Sequence, residues 1–165
     1  MKPLVFIAED DAMYSQMVQA FVERNGQFTA RAFTSGEALL GEMHEQLEIV
    51  ILDHNLNDLD PGSMNGIDVL KRLRAAYRHI PVVVLSGQHL MNTAVDLISS
   101  GACDYINKND HNAFQKLDAT LKDIPRIRQN KSDFRKLRND MRSAKKRLVI
   151  AATFITAIFI LAQLI

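Results

Sequence analysis

Two rhythms alternate along the first three quarters of the chain. Leu4-Val5-Phe6-Ile7-Ala8 is apolar at every position and breaks off at Glu9-Asp10-Asp11. So short and unbroken a run predicts a strand buried on both faces, with carboxylates delivered at its C-terminal end. Met13, Met17, Val18, Phe21 and Val22 then recur at helical spacing up to Gly26, a natural stop. The two methionines are expected to fill core. A second strand is predicted over residues 28–33, and Thr34-Ser35-Gly36-Glu37 carries a capping-box pattern, with Thr34 as N-cap of a helix running to about Glu45. Ile49-Val50-Ile51-Leu52 is β-branched and apolar and ends on Asp53. After a polar loop, Ile67, Val69, Leu70 and Leu73 mark a helix over residues 66–76. A fourth buried strand covers residues 81–85 and ends at Ser86-Gly87, a helix follows over 91–99, Tyr105-Ile106 forms a short fifth strand ending near Lys108, and a last helix spans 112–121.

Strands alternating with helices at this spacing imply right-handed crossovers and a parallel sheet covered on both faces. The expected fold is therefore α/β, a doubly wound five-stranded parallel sheet. In such sheets ligands gather beyond the carboxyl ends of the strands. Glu9, Asp10, Asp53, Ser86 and Lys108 all stand at such ends.

Charge changes the picture beyond residue 124. The net charge of the 165 residues is only +1, but residues 1–124 hold 10 basic and 17 acidic side chains, a net of −7. Residues 125–147 hold 10 basic side chains against Asp133 and Asp140, a net of +8, and residues 148–165 carry no charge. Three regimes follow: an acidic globular domain over 1–124, a basic helical linker over 125–147 and an apolar tail over 148–165. The length excludes a multidomain enzyme, and the single cysteine, Cys103, excludes an internal disulfide framework or a cysteine-rich zinc site. Cys103 is expected to be a small packing residue, and His54 a solvated loop residue. The apolar run after Pro3 is too short for a secretory signal.

Three carboxylates held together repel one another unless a cation sits among them. Mg²⁺ suits such a site, because it takes one or two carboxylates and keeps waters for phosphate oxygens. A lysine adds a compact positive charge and a serine a donor, so the constellation suits a phosphoryl group on Asp53 beside a divalent cation. With these residues in this order, the chain resembles a response-regulator receiver domain of two-component signalling over about residues 3–122. The resemblance implies the flavodoxin-like strand order 2-1-3-4-5. It also implies that Glu9 and Asp10 help to hold Mg²⁺, with Asp53 and the backbone carbonyl of Asn55 as further ligands. Asp53 would accept the phosphoryl group from the phosphohistidine of a histidine kinase or a histidine phosphotransfer protein. Ser86 and Lys108 would contact its oxygens, and Tyr105 would turn inward as a switch. Two positions depart from the family pattern. Asn57 stands where a proline is usual and Gly66 comes thirteen residues after Asp53 rather than about eight, which makes the 54–65 loop about five residues longer. Asn109, not proline, follows Lys108, so the X-Pro bond usual there is absent.

In the tail only Thr153, Thr156 and Gln163 are polar, and as a helix its eighteen residues reach about 27 Å, enough for a thin bilayer. Lys145-Lys146-Arg147 immediately before it favours a single span with the receiver in the cytoplasm. A hydrophobic helix packed in an oligomer is the other reading of the same run. Over residues 127–147, positions a and d of a heptad are Ile127, Asn130, Phe134, Leu137, Met141 and Ala144, and no other residue of that stretch is apolar. Asp133 and Asp140 fall at g, with Arg138 and Lys145 at the facing e positions. This seam predicts a long C-terminal helix forming a parallel homodimeric coiled coil, with a monomeric basic linker helix as the other reading. The basic stretch is assigned to anionic lipid rather than to nucleic acid. No DNA-reading domain follows within the chain. The expected protein is a membrane-tethered, stand-alone response regulator, a signalling domain rather than an enzyme, with slow self-hydrolysis of its phosphoryl group. The rival is a membrane-anchored adaptor that keeps the receiver fold without phosphorylation.

Overall fold

The computed structural model describes residues 2–24, 26–44, 47–57, 62–87, 91–124 and 141. Five strands, β1 (Leu4–Ala8), β2 (Thr29–Phe33), β3 (Leu47–Asp53), β4 (Val82–Ser86) and β5 (Asp104–Asn107), form one parallel sheet in the order β2-β1-β3-β4-β5. The helices between them are α1 (Ala12–Glu23), α2 (Gly36–Gly41), α3 (Gly66–Ala76) and α4 (Met91–Ser99), and α5 follows over residues 113–124. This is the predicted doubly wound architecture. Its compact unit is Met1–Leu121; of the second unit, Lys122–Ile165, only residues 122–124 and Met141 are described. The predicted basic linker, 125–147, with its heptad seam over 127–147, and the apolar tail, 148–165, lie outside the described residues except for Met141, which is helical and exposed. Among the described residues no helix is long and apolar enough to cross a membrane.

Burial follows the apolar runs. Every residue of β4 is buried, as are six of the seven in β3. Leu, Ile and Val side chains buried this way each contribute about 1.5–3 kcal/mol of transfer free energy. Phe6 meets Phe33 edge-on at 4.8 Å between β1 and β2. The core continues through Leu39, Val69, Leu70, Leu73 and Leu97 on the helices, with Tyr105 half-buried against it.

Several local expectations are corrected. α1 packs through Ser15, Val18 and Val22, spaced three and four apart, which turns Met13 (74% exposed) and Met17 (49% exposed) toward solvent. These methionines therefore do not fill core. The N-cap of α2 is Ser35, not Thr34: its side chain accepts from the Ala38 N–H. Glu37 then falls at the second helical position rather than the third, and its carboxylate accepts from the Met64 N–H at 2.8 Å. α2 closes at Gly41, short of Glu45, with the Glu42 N–H donating to the Leu39 carbonyl. Cys103, directly ahead of β5, is exposed. His54 is half-buried, and its Nδ1 is enclosed without a hydrogen-bond partner, so it is not a solvated loop residue.

Candidate functional site

Strand register assembles the site. Ala8 pairs with Leu52, which brings Glu9 level with Asp53 in the adjacent strand. Asp53 pairs with Leu85, so Ser86 stands one step further out. Ser86 pairs with Asn107 and its carbonyl accepts from the Lys108 N–H at 2.8 Å. Glu9, Asp53 and Ser86 are all buried although polar. Residues far apart in sequence thus converge because parallel strands in this register end on one edge.

Carboxylate oxygens of Glu9, Asp10 and Asp53 lie within 4.8 Å of one another. Lys108 Nζ approaches Glu9 Oε2 at 2.7 Å, Glu9 Oε1 at 2.9 Å and Asp53 Oδ1 at 2.9 Å. One ammonium therefore faces three oxygens of two carboxyl groups, Glu9 and Asp53. Burial, and after it the Asp53 charge, push the Glu9 carboxyl up to about 7 despite the opposing pull of Lys108. Glu9 Oε2 and Asp53 Oδ1 are enclosed without a well-aligned hydrogen bond. A pocket so short of positive charge, lined by hard oxygen donors, fits a divalent cation such as Mg²⁺. Asn55 is half-buried in the turn directly after β3, close to these donors in sequence.

The third acid of the run has a different task. Asp11 Oδ1 accepts from the Met13 and Tyr14 N–H groups at 2.8 and 3.1 Å, which makes it the N-cap of α1. An aspartate just ahead of an amphipathic segment was the available signal. Tyr14, absent from the sequence-based site, lies in the wall: Lys108 Nζ stands 4.6 Å from its ring centroid. Burial first, then the Glu9 and Asp53 charges, push its hydroxyl up to about 12.

Both departures from the family pattern have structural answers. His54 donates to the Leu85 carbonyl at 2.8 Å and accepts from the Gly66 N–H at 3.0 Å, so the long loop leaves and returns at one residue. Leu56, buried, anchors its first turn. After β5, where proline is missing, Asn107 Oδ1 accepts from the Asn109 N–H and Asn109 Nδ2 donates to the Gly87 carbonyl, each at 2.8 Å. Asn109 thereby ties the Lys108 turn to the end of β4. No cis peptide bond occurs among the described residues.

A strand edge with an acidic trio, a buried hydroxyl residue and a paired lysine defines a class, and the comparisons name it. The response regulator receiver domain family matches residues 5–121, and the chain belongs to that family. It is 34% identical over 109 residues to the cell cycle transcriptional regulator CtrA of Caulobacter vibrioides, covering 65% of this chain and 44% of that protein. It is 32% identical over 117 residues to the transcriptional regulatory protein ZraR of Escherichia coli K12, covering 71% of this chain and 25% of that one. The chain thus spans less than half the length of these relatives. Among solved structures, the CheY-like receiver domain protein from Methanospirillum hungatei JF-1 superposes with a TM-score of 0.69 at 17% identity, covering 79% of this chain and 99% of that one. That likeness shows the fold.

Proposed function

We propose that this chain is a membrane-tethered response regulator that accepts a phosphoryl group on Asp53. The observation that carries the reading is the placement of Asp53: buried at the end of β3, beside Glu9 and Asp10, with Lys108 Nζ 2.9 Å from its Oδ1. The donor is the phosphohistidine of a histidine kinase or of a histidine phosphotransfer protein. A carboxylate oxygen of Asp53 forms the new O–P bond as the N–P bond of the donor imidazole breaks, and the imidazole keeps the electron pair. Lys108 supplies positive charge for the phosphoryl oxygens, and Ser86 stands at the neighbouring strand end to donate a hydrogen bond to one of them. Glu9, Asp10, Asp53 and the Asn55 carbonyl would hold Mg²⁺, which when bound neutralises charge on the incoming group.

The chain acts as a signalling domain rather than an enzyme, with slow loss of the phosphoryl group to water. Output runs through partner binding near Tyr105, half-buried at the sheet edge. Residues 148–165 anchor the protein in a bilayer with the receiver on the cytoplasmic side, and residues 127–147 pair two copies as a coiled coil. The support for both is the uncharged tail and the a/d seam in the sequence.

The test is intact mass of the full-length chain, held in detergent micelles, after incubation with a small phosphodonor and Mg²⁺. The wild type should gain the mass of one phosphoryl group and Asp53→Ala should gain none. A mutant that still gains it refutes the acceptor assignment. A wild type that never gains it returns the chain to the adaptor reading.

A further inference from the structure

Tyr14 sits in the first turn of α1, three residues after the cap Asp11. Its ring meets Lys108 Nζ at 4.6 Å from the centroid, within the range at which an aromatic face attracts a cation. The remaining close partners of that ammonium are the two oxygens of Glu9 and Asp53 Oδ1. Tyr14 is backed by Phe114 of α5 at 6.2 Å, and Phe114 packs on Phe21 at 4.8 Å, so rings from two helices hold it in place.

The arrangement gives Lys108 partners of two kinds. A lysine stem has four rotatable carbons, and its ammonium goes wherever charge and water pull it. Here Glu9 contributes two of the three carboxylate contacts, yet Glu9 also belongs to the acidic trio that fits a divalent cation. A carboxylate shared by a divalent cation and an ammonium brings two like charges together, so engagement of one weakens the other. The attraction of an aromatic face comes from its fixed quadrupole and does not change when a carboxylate changes partner.

We propose that Tyr14 is a positioning residue for phosphoryl transfer, its ring holding the Lys108 ammonium beside Asp53 when Glu9 turns to the cation. The inference rests on the reading of Asp53 as phosphoryl acceptor. It assigns to α1 a part in the chemistry beyond carrying the loop that ends in Asp11. The hydroxyl has no role in it, so Tyr14→Phe should behave as wild type while Tyr14→Leu, which keeps bulk and apolarity, should not.

Two measurements on the full-length chain in micelles test this. By NMR, the ε-methylene protons of Lys108 should be shifted upfield by the ring current in the wild type and in Tyr14→Phe, and should return to the ordinary lysine position in Tyr14→Leu. In rate measurements with a small phosphodonor and Mg²⁺, Tyr14→Leu should lower the maximal rate about fivefold, the size of one such contact, with the half-saturating donor concentration unchanged. In a Lys108→Ala background the same substitution should cost nothing further, because the ring then has no ammonium to hold. A wild type without the upfield shift, a wild-type rate in Tyr14→Leu, or an equal loss with and without Lys108 overturns the proposal for Tyr14 alone. A wild type that takes up no phosphoryl group overturns the acceptor reading and the catalytic consequence together.

Discussion

Gly66 lies so close to the backbone beneath the site that a methyl group there would collide with the Asp53 carbonyl and stand 2.8 Å from His54 Cα. Its φ is not in the left-handed region, so close approach and not conformational freedom demands glycine. Gly66→Ala must push back the peptide that carries Asp53, and overpacking of this kind costs about 1–3 kcal/mol. Chemical denaturation should show that loss; an unchanged midpoint would mean the loop yields freely. The acidic trio makes a second prediction at this scale. A ligand that binds only the folded state raises stability by mass action, so Mg²⁺ in the millimolar range should raise the thermal midpoint by about 2–5 °C. Asp10→Asn should remove most of that rise, since it withdraws one of the three carboxylates. Equal rises in both proteins would place the cation elsewhere.

Helix and turn boundaries decide where these side chains stand. Ser35 caps α2, and Thr34 does not. Ser35→Ala should therefore cost about 1 kcal/mol in urea unfolding, while Thr34→Ala should be nearly neutral. The reverse order would restore the earlier cap. The turn after β5 carries Lys108 between two asparagines that hydrogen-bond across it. A side chain tied at both ends of a turn does by hydrogen bonding what a proline ring does by fixing φ. Asn109→Ala removes the link to the Gly87 carbonyl, and hydrogen exchange at the Lys108 N–H, bonded to the Ser86 carbonyl, should quicken by about fivefold, corresponding to one lost hydrogen bond. Unchanged exchange would show that the strand pairing alone holds this turn.

At the scale of the whole molecule, an acidic receiver with net charge −7 precedes a basic stretch of +8 and an uncharged end. Deleting residues 148–165 should move the protein from the membrane fraction to the soluble fraction, since no helix among the described residues is long and apolar enough to span a bilayer. Membrane association of the truncated form that survives carbonate would contradict the tether. The heptad seam is tested in membranes by single cysteines in a Cys103→Ser background. A cysteine replacing Leu137, at d, should crosslink two chains, while one replacing Lys136 should not. Equal crosslinking at both positions would leave the seam without support.

The sheet and the members of its polar edge were legible in the chain because buried parallel strands announce themselves as unbroken apolar runs. The first polar residue after each run is then pinned to the C-terminal edge, which is how Glu9, Asp53 and Ser86 were found. Helix existence was equally legible, but which face of α1 packs was not: Met13 and Met17 are apolar by type, and only the sheet decides that Val18 and Val22 turn inward instead. Caps escaped for a related reason, since Thr34 and Ser35 offer the same oxygen one residue apart and the helix axis selects between them. Tyr14 carried no pattern at all, and Asn109 stood out only as the residue in place of a proline. Their partners, Lys108 and Gly87, lie 94 and 22 residues away in sequence, and only the packing of α1 and of the β5 turn against the strand ends brings them into reach. Local chemistry could specify each strand and its terminal charge, because those depend on neighbours along the chain. The contacts that hold Lys108 at Asp53 depend on neighbours across it, and tertiary structure alone decided them.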